Sequence, residues 1–313
     1  MVDETRDVPL PHLDLDLTIS IVTWNSHADI GACLGAITPA AGSLTHHVTV
    51  VDNDSQDATV AIVQEGYSDV TIIRNDHNAG FGAAHNRAMR AGVGRRHLIL
   101  NADTLPLPGS LEILSRFFDE TPNTAFVGPK ILTKRGSVYP SCRSFPTPGA
   151  LVFRNRFLSA LFPNNPYTRE YLMGGQSHDR VMRAGWLSGS VLMVSRPALE
   201  EIGLLDERFF MYCEDMDWCR RAHDRGWGVF YQPAASVIHI HARSTDQRIP
   251  AMIIEHHRSM WKYFCKHERD RRPVVWAIGL AMVLSIRAGA LLVLHGLKRL
   301  RERLLGEQRV NPG

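Results

Sequence analysis

The chain has 313 residues and a formal net charge of +3, long enough to bury a full core as one large domain or two smaller ones. Its five cysteines are odd in number and contain no C-x-x-C pair, which argues against a disulfide framework or a thiolate zinc site and for a reducing compartment. Charge is unevenly placed: Asp3, Glu4, Asp7, Asp14 and Asp16 make residues 1–16 an acidic tail, whereas Arg258, Lys262, Lys266, Lys298, Arg299 and Arg301 belong to a basic region over residues 249–313. Those cations sit on an apolar tail without the interleaved aromatics of a single-strand platform, so nucleic acid is excluded as a partner. The start, Met1-Val2-Asp3-Glu4, has neither the basic nor the apolar region of a signal peptide, and the expected location is cytoplasmic.

β-branched runs ending in polar residues predict strands over Leu17 to Thr23, Val48 to Asp52, Val70 to Arg74 and Leu98 to Leu100. Helices are expected between them, over Ile30 to Ile37, Ala58 to Glu65 and Ala83 to Ala91. This alternation implies an α/β fold with a doubly wound, mostly parallel sheet, whose ligands bind beyond the carboxyl ends of the strands. Thr133 to Arg183 is rich in Pro, Gly, Asn and Arg and reads as a loop-rich cover over the site. Strand-like sequence returns at Gly185 to Val194, a proline-started helix at Pro197 to Gly203, strands near Val229 to Tyr231 and Ser236 to His239, and a helix at Ala251 to Lys266.

Pro273 to Leu294 is apolar except for Arg287 and nearly long enough to cross a bilayer. On a helical wheel Arg287, His295, Lys298 and Glu302 share one face, and Met282, Val293, Leu300 and Leu304 the other. That pattern favours a helix lying in the interface of the inner membrane surface over one that spans it.

Polar clusters follow the strands. Val51-Asp52-Asn53-Asp54-Ser55 places an acid where one can meet a base or ribose, or cap the next helix. Asn78-Ala79-Gly80-Phe81-Gly82 opens a helix with backbone that can approach a phosphate, although it is not a dinucleotide fingerprint. Leu100-Asn101-Ala102-Asp103 offers a carboxylate suited to a divalent cation that keeps its waters and substrate phosphates. His239 can complete such a site, and it shares a strand face with His241. The pairs His46/His47 and His256/His257 have no such context and read as structural.

Phe209-Phe210-Met211-Tyr212-Cys213-Glu214-Asp215-Met216-Asp217-Trp218-Cys219-Arg220-Arg221 sets three carboxylates within four residues. Asp217 and Arg221, four apart on one helix, form a structural pair. Glu214 and Asp215 have no sequence-local partner. Asp215, in the first turn, is expected to stay ionised at neutral pH, with its basicity moderated by the helix terminus.

In order, Ile21-Val22-Thr23-Trp24-Asn25, the Asp52 segment, Asn78-Ala79-Gly80-Phe81-Gly82 with Asn86, Leu100-Asn101-Ala102-Asp103, Gly185-Trp186-Leu187-Ser188-Gly189-Ser190, Glu214-Asp215-Met216-Asp217 and His239 resemble glycosyltransferase family 2. The resemblance runs from Thr18 to about Ser244. It implies a GT-A type fold over residues 17–248, with a nucleotide-sugar half (17–130) and an acceptor half (131–248), and an inverting sugar transfer. It further implies that Thr23, Asn25, Asp52, Asn78, Gly80, Asn86, Asn101 and Asp103 bind the nucleotide-sugar. Asp103 and His239 would hold Mg2+ or Mn2+. Asp215 would be the base, supported by Glu214, with Trp186, Ser188 and Gly189 toward the acceptor. The usual D-x-D is Asn101-Ala102-Asp103 here, and no Q-x-x-R-W follows the acidic segment, which argues against a processive synthase. The chain most resembles rhamnosyltransferases that extend polyprenyl-diphosphate-linked sugars, which implies a dTDP-rhamnose donor and a lipid-linked saccharide acceptor. A UDP-hexose or UDP-galactofuranose donor, a catalytically silent scaffold and a homodimer remain open alternatives.

Overall fold

β1 (Leu17–Thr23) is the pivot of the sheet: it pairs in parallel with β2 (His46–Asp52) on one side and β4 (Arg96–Asn101) on the other. The computed structural model describes residues 10–147, 149–150, 162, 165–174, 177–240, 249–268 and 273–307. β3 (Thr71–Arg74) extends the sheet beyond β2. Beyond β4 come β11 (Val191–Ser195), β6 (Thr124–Thr133), β12 (Gly228–His239) and β5 (Thr104–Pro106), giving the order β3-β2-β1-β4-β11-β6-β12-β5, with the short β7 (Val138–Tyr139) paired to β6 and β9 (Met182–Arg183) to β12. Only β11 and β5 run antiparallel to their neighbours along this path. The order reverses at β1, and at such a switch point the connections diverge and leave a crevice outside the strand ends.

Helices α1 (Ile30–Ala41), α2 (Thr59–Gly66), α3 (Phe81–Ala91) and α4 (Ser110–Glu120) cover the first half. Ile19, Ile21, Val48, Val50, Leu98 and Leu100 are buried in one apolar core with Ile30, Leu34 and Ile37 of α1. α5 (Pro166–Tyr171) lies in the loop-rich region, α6 (Arg196–Ile202) follows β11, and α7 (Glu214–His223) carries the acidic segment. α8 (Ile249–His267) and α9 (Val274–Glu307) form a C-terminal pair.

The strand-like run from Gly185 to Val194 divides. β10 (Trp186–Leu187) forms a two-stranded ribbon with β8 (Cys142–Arg143), while β11 enters the main sheet. The two strands expected near Val229 and Ser236 are one strand, β12; a register shift between Gln232 and Ser236 carries Pro233 past the ladder. The C-terminal helix, followed on the wheel as far as Leu304, runs from Val274 to Glu307. Residues 1–9 of the acidic tail and 241–248, with His241, lie outside the described residues.

The C-terminal pair is built into the fold. Phe209, Cys213 and Met216 share a buried cluster with Met260, Tyr263 and Phe264 of α8 and Leu280 and Leu284 of α9. Removing α8 would therefore expose the apolar side of the acidic segment.

Candidate active site

Beyond the carboxyl ends of β1, β2 and β4 lies a cavity of about 690 Å³, within the range of small-ligand sites. Asn25, Asn78, Gly80, Asn101, Asp103 and His239 line it. Thr23 and Asp52 do not. They face each other across the β1–β2 register, fully buried, and the Thr23 hydroxyl donates to Asp52 Oδ1 at 3.0 Å. The other Asp52 oxygen accepts the Ser55 N–H at 3.0 Å. The pair pins the turn that presents Asn53 and Asp54 to the cavity. Asn86 is likewise fully buried and directed away: its amide donates to the Leu205 carbonyl (2.8 Å) and Glu207 (2.9 Å), and its oxygen accepts the Leu205 N–H (3.0 Å). It ties α3 to the loop preceding the acidic segment.

Gly80 is required by geometry. Its φ is +89°, and a Cβ there would stand 2.4 Å from the Phe210 carbonyl oxygen. The Phe81 N–H donates to that same oxygen at 2.8 Å. Asn78 Oδ1 accepts the Gly80 N–H (3.0 Å) and Asn53 donates to the Gly80 carbonyl (3.1 Å), so this loop is held from both sides.

At the other end of the cavity β5 pairs with β12, setting His239 opposite Thr104. His239 Nε2 and Asp103 Oδ1 are 3.0 Å apart. Two cis ligands ~2.1 Å from an octahedral Mg2+ stand ~3 Å apart, so this carboxylate–imidazole pair fits one divalent cation. Among the described residues no group of three or more His, Cys, Asp or Glu side chains could hold an ion. Such a cation would take the rest of its shell from diphosphate oxygens and water.

The acidic segment enters α7 through two consecutive non-glycine residues in the left-handed region, Tyr212 (φ 70°) and Cys213 (φ 68°). Such conformations cost free energy and persist where surrounding contacts enforce them. Here the Ser259 hydroxyl donates to the Met211 carbonyl (2.9 Å), and the Tyr212 ring contacts His256 at 5.3 Å. Asp215 Oδ2 accepts the Gly189 N–H and Oδ1 the Met216 N–H, each at 2.8 Å. Glu214 is buried, and its Oε2 has no hydrogen-bond partner. Burial and the neighbouring Asp215 carboxylate push the Glu214 pKa well above the carboxylate range. Asp215 is also raised, by burial, although the Gly189 and Met216 N–H groups and Arg143 pull the other way. The moderated basicity expected from the helix start is thus reversed: burial outweighs the amides, and a raised pKa makes Asp215 a stronger base.

Asp217 pairs with Arg221 as the spacing predicted, Nε to Oδ2 at 3.0 Å. Its other oxygen meets Lys266 and His267 of α8, each at 2.7 Å. Burial pushes the Asp217 pKa up, but His267, Arg221 and Lys266 together hold it at about 2.

Trp186, Ser188 and Gly189 gather on the Asp215 side rather than in the cavity lining. The Trp186 indole donates to the Ser144 carbonyl (3.1 Å), and the Ser188 and Ser190 hydroxyls are 3.0 Å apart. The two sides meet at Phe81, which lines the cavity and approaches within 3.5 Å the position a Gly189 Cβ would take. Two features were not legible in sequence. The Arg143 guanidinium lies 5.1 Å over Trp186 and 5.8 Å over Tyr171. Ala251, Met252, Ile254, Glu255 and Arg258 of α8 form a wall of the cavity. His46, His47 and His257 are spent on Leu44, Thr71 and Ile253, away from the cavity lining.

A family model described as "Glycosyltransferase like family 2" matches residues 15–260. The N-acetylglucosaminyl-diphospho-decaprenol L-rhamnosyltransferase of Mycobacterium tuberculosis is 32% identical over 273 residues, covering 82% of this chain and 87% of that protein. The low-salt glycan biosynthesis hexosyltransferase Agl10 of Haloferax volcanii is 28% identical, over 76% of this chain and 71% of its own. Among solved structures, the mannosyltransferase PcManGT of Pyrobaculum calidifontis with GDP-Man and Mn2+ superposes with a TM-score of 0.54 at 18% identity, covering 96% of this chain and 85% of that one. GalNAc-T7 with UDP, GalNAc and Mn2+ gives a TM-score of 0.52 at 15% identity, and the chain spans 45% of that structure's length. These two likenesses are of fold.

Proposed function

The chain belongs to glycosyltransferase family 2 and has its α/β GT-A fold, and on that premise we propose that it transfers rhamnose from dTDP-rhamnose, with inversion, to a hydroxyl of a lipid-diphosphate-linked saccharide at the cytoplasmic membrane face. The observation carrying this reading is the arrangement about Phe81: the Asp103–His239 pair lies in the cavity it lines, and Asp215 lies behind it beside Gly189. The rhamnose and lipid parts rest on the identity with the mycobacterial rhamnosyltransferase over most of both chains.

In this reading Asn25, Asn53, Asp54 and Asn78 seat the nucleotide. Asp103 and His239 would hold Mg2+ or Mn2+, which when bound neutralises charge on the departing diphosphate. Asp215 takes the proton of the acceptor hydroxyl as that oxygen bonds to the anomeric carbon and the carbon–phosphate-oxygen bond breaks, releasing dTDP. The Gly189 and Met216 amides fix the carboxylate in place, so its orientation costs nothing at the moment of reaction. Glu214, kept neutral by burial, leaves Asp215 as the ionised member of the pair. α9 supplies the membrane contact. Val275, Ile278, Met282, Ile286, Val293 and Leu297 form an exposed apolar stripe, and Leu280 and Leu284 on the opposite side are buried.

The test is a donor screen with prenyl-diphosphate-linked N-acetylglucosamine as acceptor and mass spectrometry of the product. Rhamnosyl transfer from dTDP-rhamnose is expected. In Asp215→Asn, turnover should fall by ~10²–10⁴ while calorimetric dTDP binding persists. Full activity of that variant would remove Asp215 as base, and a preference for UDP-hexose or UDP-galactofuranose would overturn the rhamnose assignment.

A further inference from the structure

The α8 wall of the cavity does not stop at its rim. Ile254 and Arg258 line the cavity, and Trp261 lines a second depression, an apolar groove of about 470 Å³ between α8 and α9. These three residues stand at i, i+4 and i+7, so one stripe of a single helix runs from the cavity into the groove. The groove is walled by Trp261 on α8 and by Ala277, Ile278, Met282 and Ile286 on α9. Residues three apart on a helix have Cβ atoms ~5–6 Å from each other. A group held by Arg258 is therefore adjacent to anything resting on Trp261.

The charges at this junction favour an anion. Arg258 and Lys262 each lie 3.7 Å from the single Glu255 carboxylate, which leaves one positive charge in excess. Arg208, the next cation, is turned to Asp206, with its NH2 2.5 Å from Oδ2. Lys262 donates to the Arg208 carbonyl at 2.5 Å and is held, whereas the Arg258 side chain is 70% exposed and faces the cavity mouth. A planar guanidinium between a polar cavity and an apolar groove matches a diphosphate joining a saccharide to a hydrocarbon chain.

We propose that the α8/α9 groove holds the first isoprenoid units of the lipid-linked acceptor and that Arg258 binds its diphosphate, so that the saccharide is delivered into the catalytic cavity. This rests on the lipid-linked acceptor of the reading above and assigns it a place. The alignment of groove and cavity along one face of α8, and the excess positive charge at Arg258 between them, single out this occupant over a bulk membrane lipid or a second copy of the chain.

The test needs neither donor nor saccharide, so its outcome is separate from that of the sugar-transfer assignment. Binding of farnesyl diphosphate and of farnesol to the full chain in detergent is compared by calorimetry, with sedimentation in parallel. The wild-type chain is expected to prefer the diphosphate by about tenfold or more. Arg258→Gln should collapse that preference to about twofold, with Arg258→Lys between, and Ile278→Ser with Met282→Ser should weaken both ligands together. A preference unchanged in Arg258→Gln would overturn the proposal. So would farnesyl binding indifferent to the groove substitutions, or sedimentation showing a dimer that dissociates when the groove is altered.

Discussion

Lys266 Nζ lies 2.7 Å from Asp217 Oδ1 and also 2.7 Å from Asp206 Oδ2, so one ammonium joins the C-terminal helix α8 to both α7, the helix of the acidic segment, and the loop before it. With His267 on the same Asp217 oxygen and Arg221 on the other, that carboxylate is the electrostatic hub beneath Asp215. The basic C-terminal region is thereby built into the scaffold that holds the acidic segment.

Asp217→Asn leaves Arg221 and Lys266 without their shared anion in a buried setting, and breaking a buried pair in this way costs ~3–5 kcal/mol. The expected fall in Tm at pH 7 is about 10 °C. The pH dependence follows from the depressed pKa: folding favours the ionised form, so the stabilisation is complete above the ordinary value of 3.8 and is lost as pH falls toward about 2. The gap in Tm between wild type and variant should be constant from pH 5 to 7 and narrow below pH ~4. A gap that stays constant into acid would show that Asp217 is not held by these cations.

Glu214 has the opposite sign. Its carboxyl is pushed up by burial, so above the ordinary 4.5 the folded chain retains a proton that the unfolded chain releases. Stability then declines with rising pH, by up to ~1.4 kcal/mol per pH unit until the folded-state value is reached. Glu214→Gln keeps the shape and cannot ionise. It should melt with wild type near pH 4 and increasingly above it toward pH 7.5. Thermal unfolding across that range decides the matter: a variant less stable than wild type at pH 7.5 would mean that Glu214 is ionised and paired.

Much of the sheet was legible because its strands are β-branched runs that stop at polar residues. β1, β2 and β4 end at Thr23, Asp52 and Asn101, where the cavity begins. The Asp217–Arg221 pair was legible from its i,i+4 spacing. What local spacing does not carry is direction and distance. Thr23 and Asp52 turn toward each other because of strand register, and Asn86 finds Leu205 across 119 residues. Lys266 reaches Asp206 across 60. The loop-rich segment concealed Arg143 because its neighbours Trp186 and Tyr171 come from distant parts of the chain. Local spacing does carry α4, in which buried Leu111, Leu114, Phe117 and Phe118 have the periodicity of an amphipathic helix.

Gly80 offers a test of how closely the donor loop and the acidic segment must approach. An alanine there meets two penalties, a left-handed backbone and a Cβ 2.4 Å from the Phe210 carbonyl oxygen. Gly226 has a similar φ of +84° with nothing within 4 Å of its added Cβ. Gly226→Ala should therefore show the conformational cost alone, ~1–2 kcal/mol. Gly80→Ala should cost more and also weaken nucleotide binding, because the loop can relieve the clash only by leaving Phe210. Equal melting and unchanged nucleotide affinity for the two variants would show that the approach is dispensable.

The proposed membrane contact can be tested through the way α9 distributes its apolar side chains. Val274–Arg299 is 26 residues of high mean hydropathy, ~39 Å at 1.5 Å per residue, and could cross a hydrocarbon core of ~30 Å. Most of its large exposed apolar residues nevertheless fall on one stripe, Val274 and Leu294 lying to its sides, with Arg287 on the side of Leu280 and Leu284, which pack on the α8 cluster. A spanning helix would need apolar surface all round, whereas a helix in the interface needs one such face with cations flanking it. The full chain should bind vesicles more tightly as their anionic lipid content rises, and alkaline carbonate should release it. Val293→Glu with Leu297→Glu, on the exposed stripe away from the α8 contact, should abolish flotation without lowering Tm. Carbonate-resistant retention of the wild-type chain would instead establish a spanning helix, because peripheral attachment does not survive that treatment while a hydrocarbon-embedded segment does.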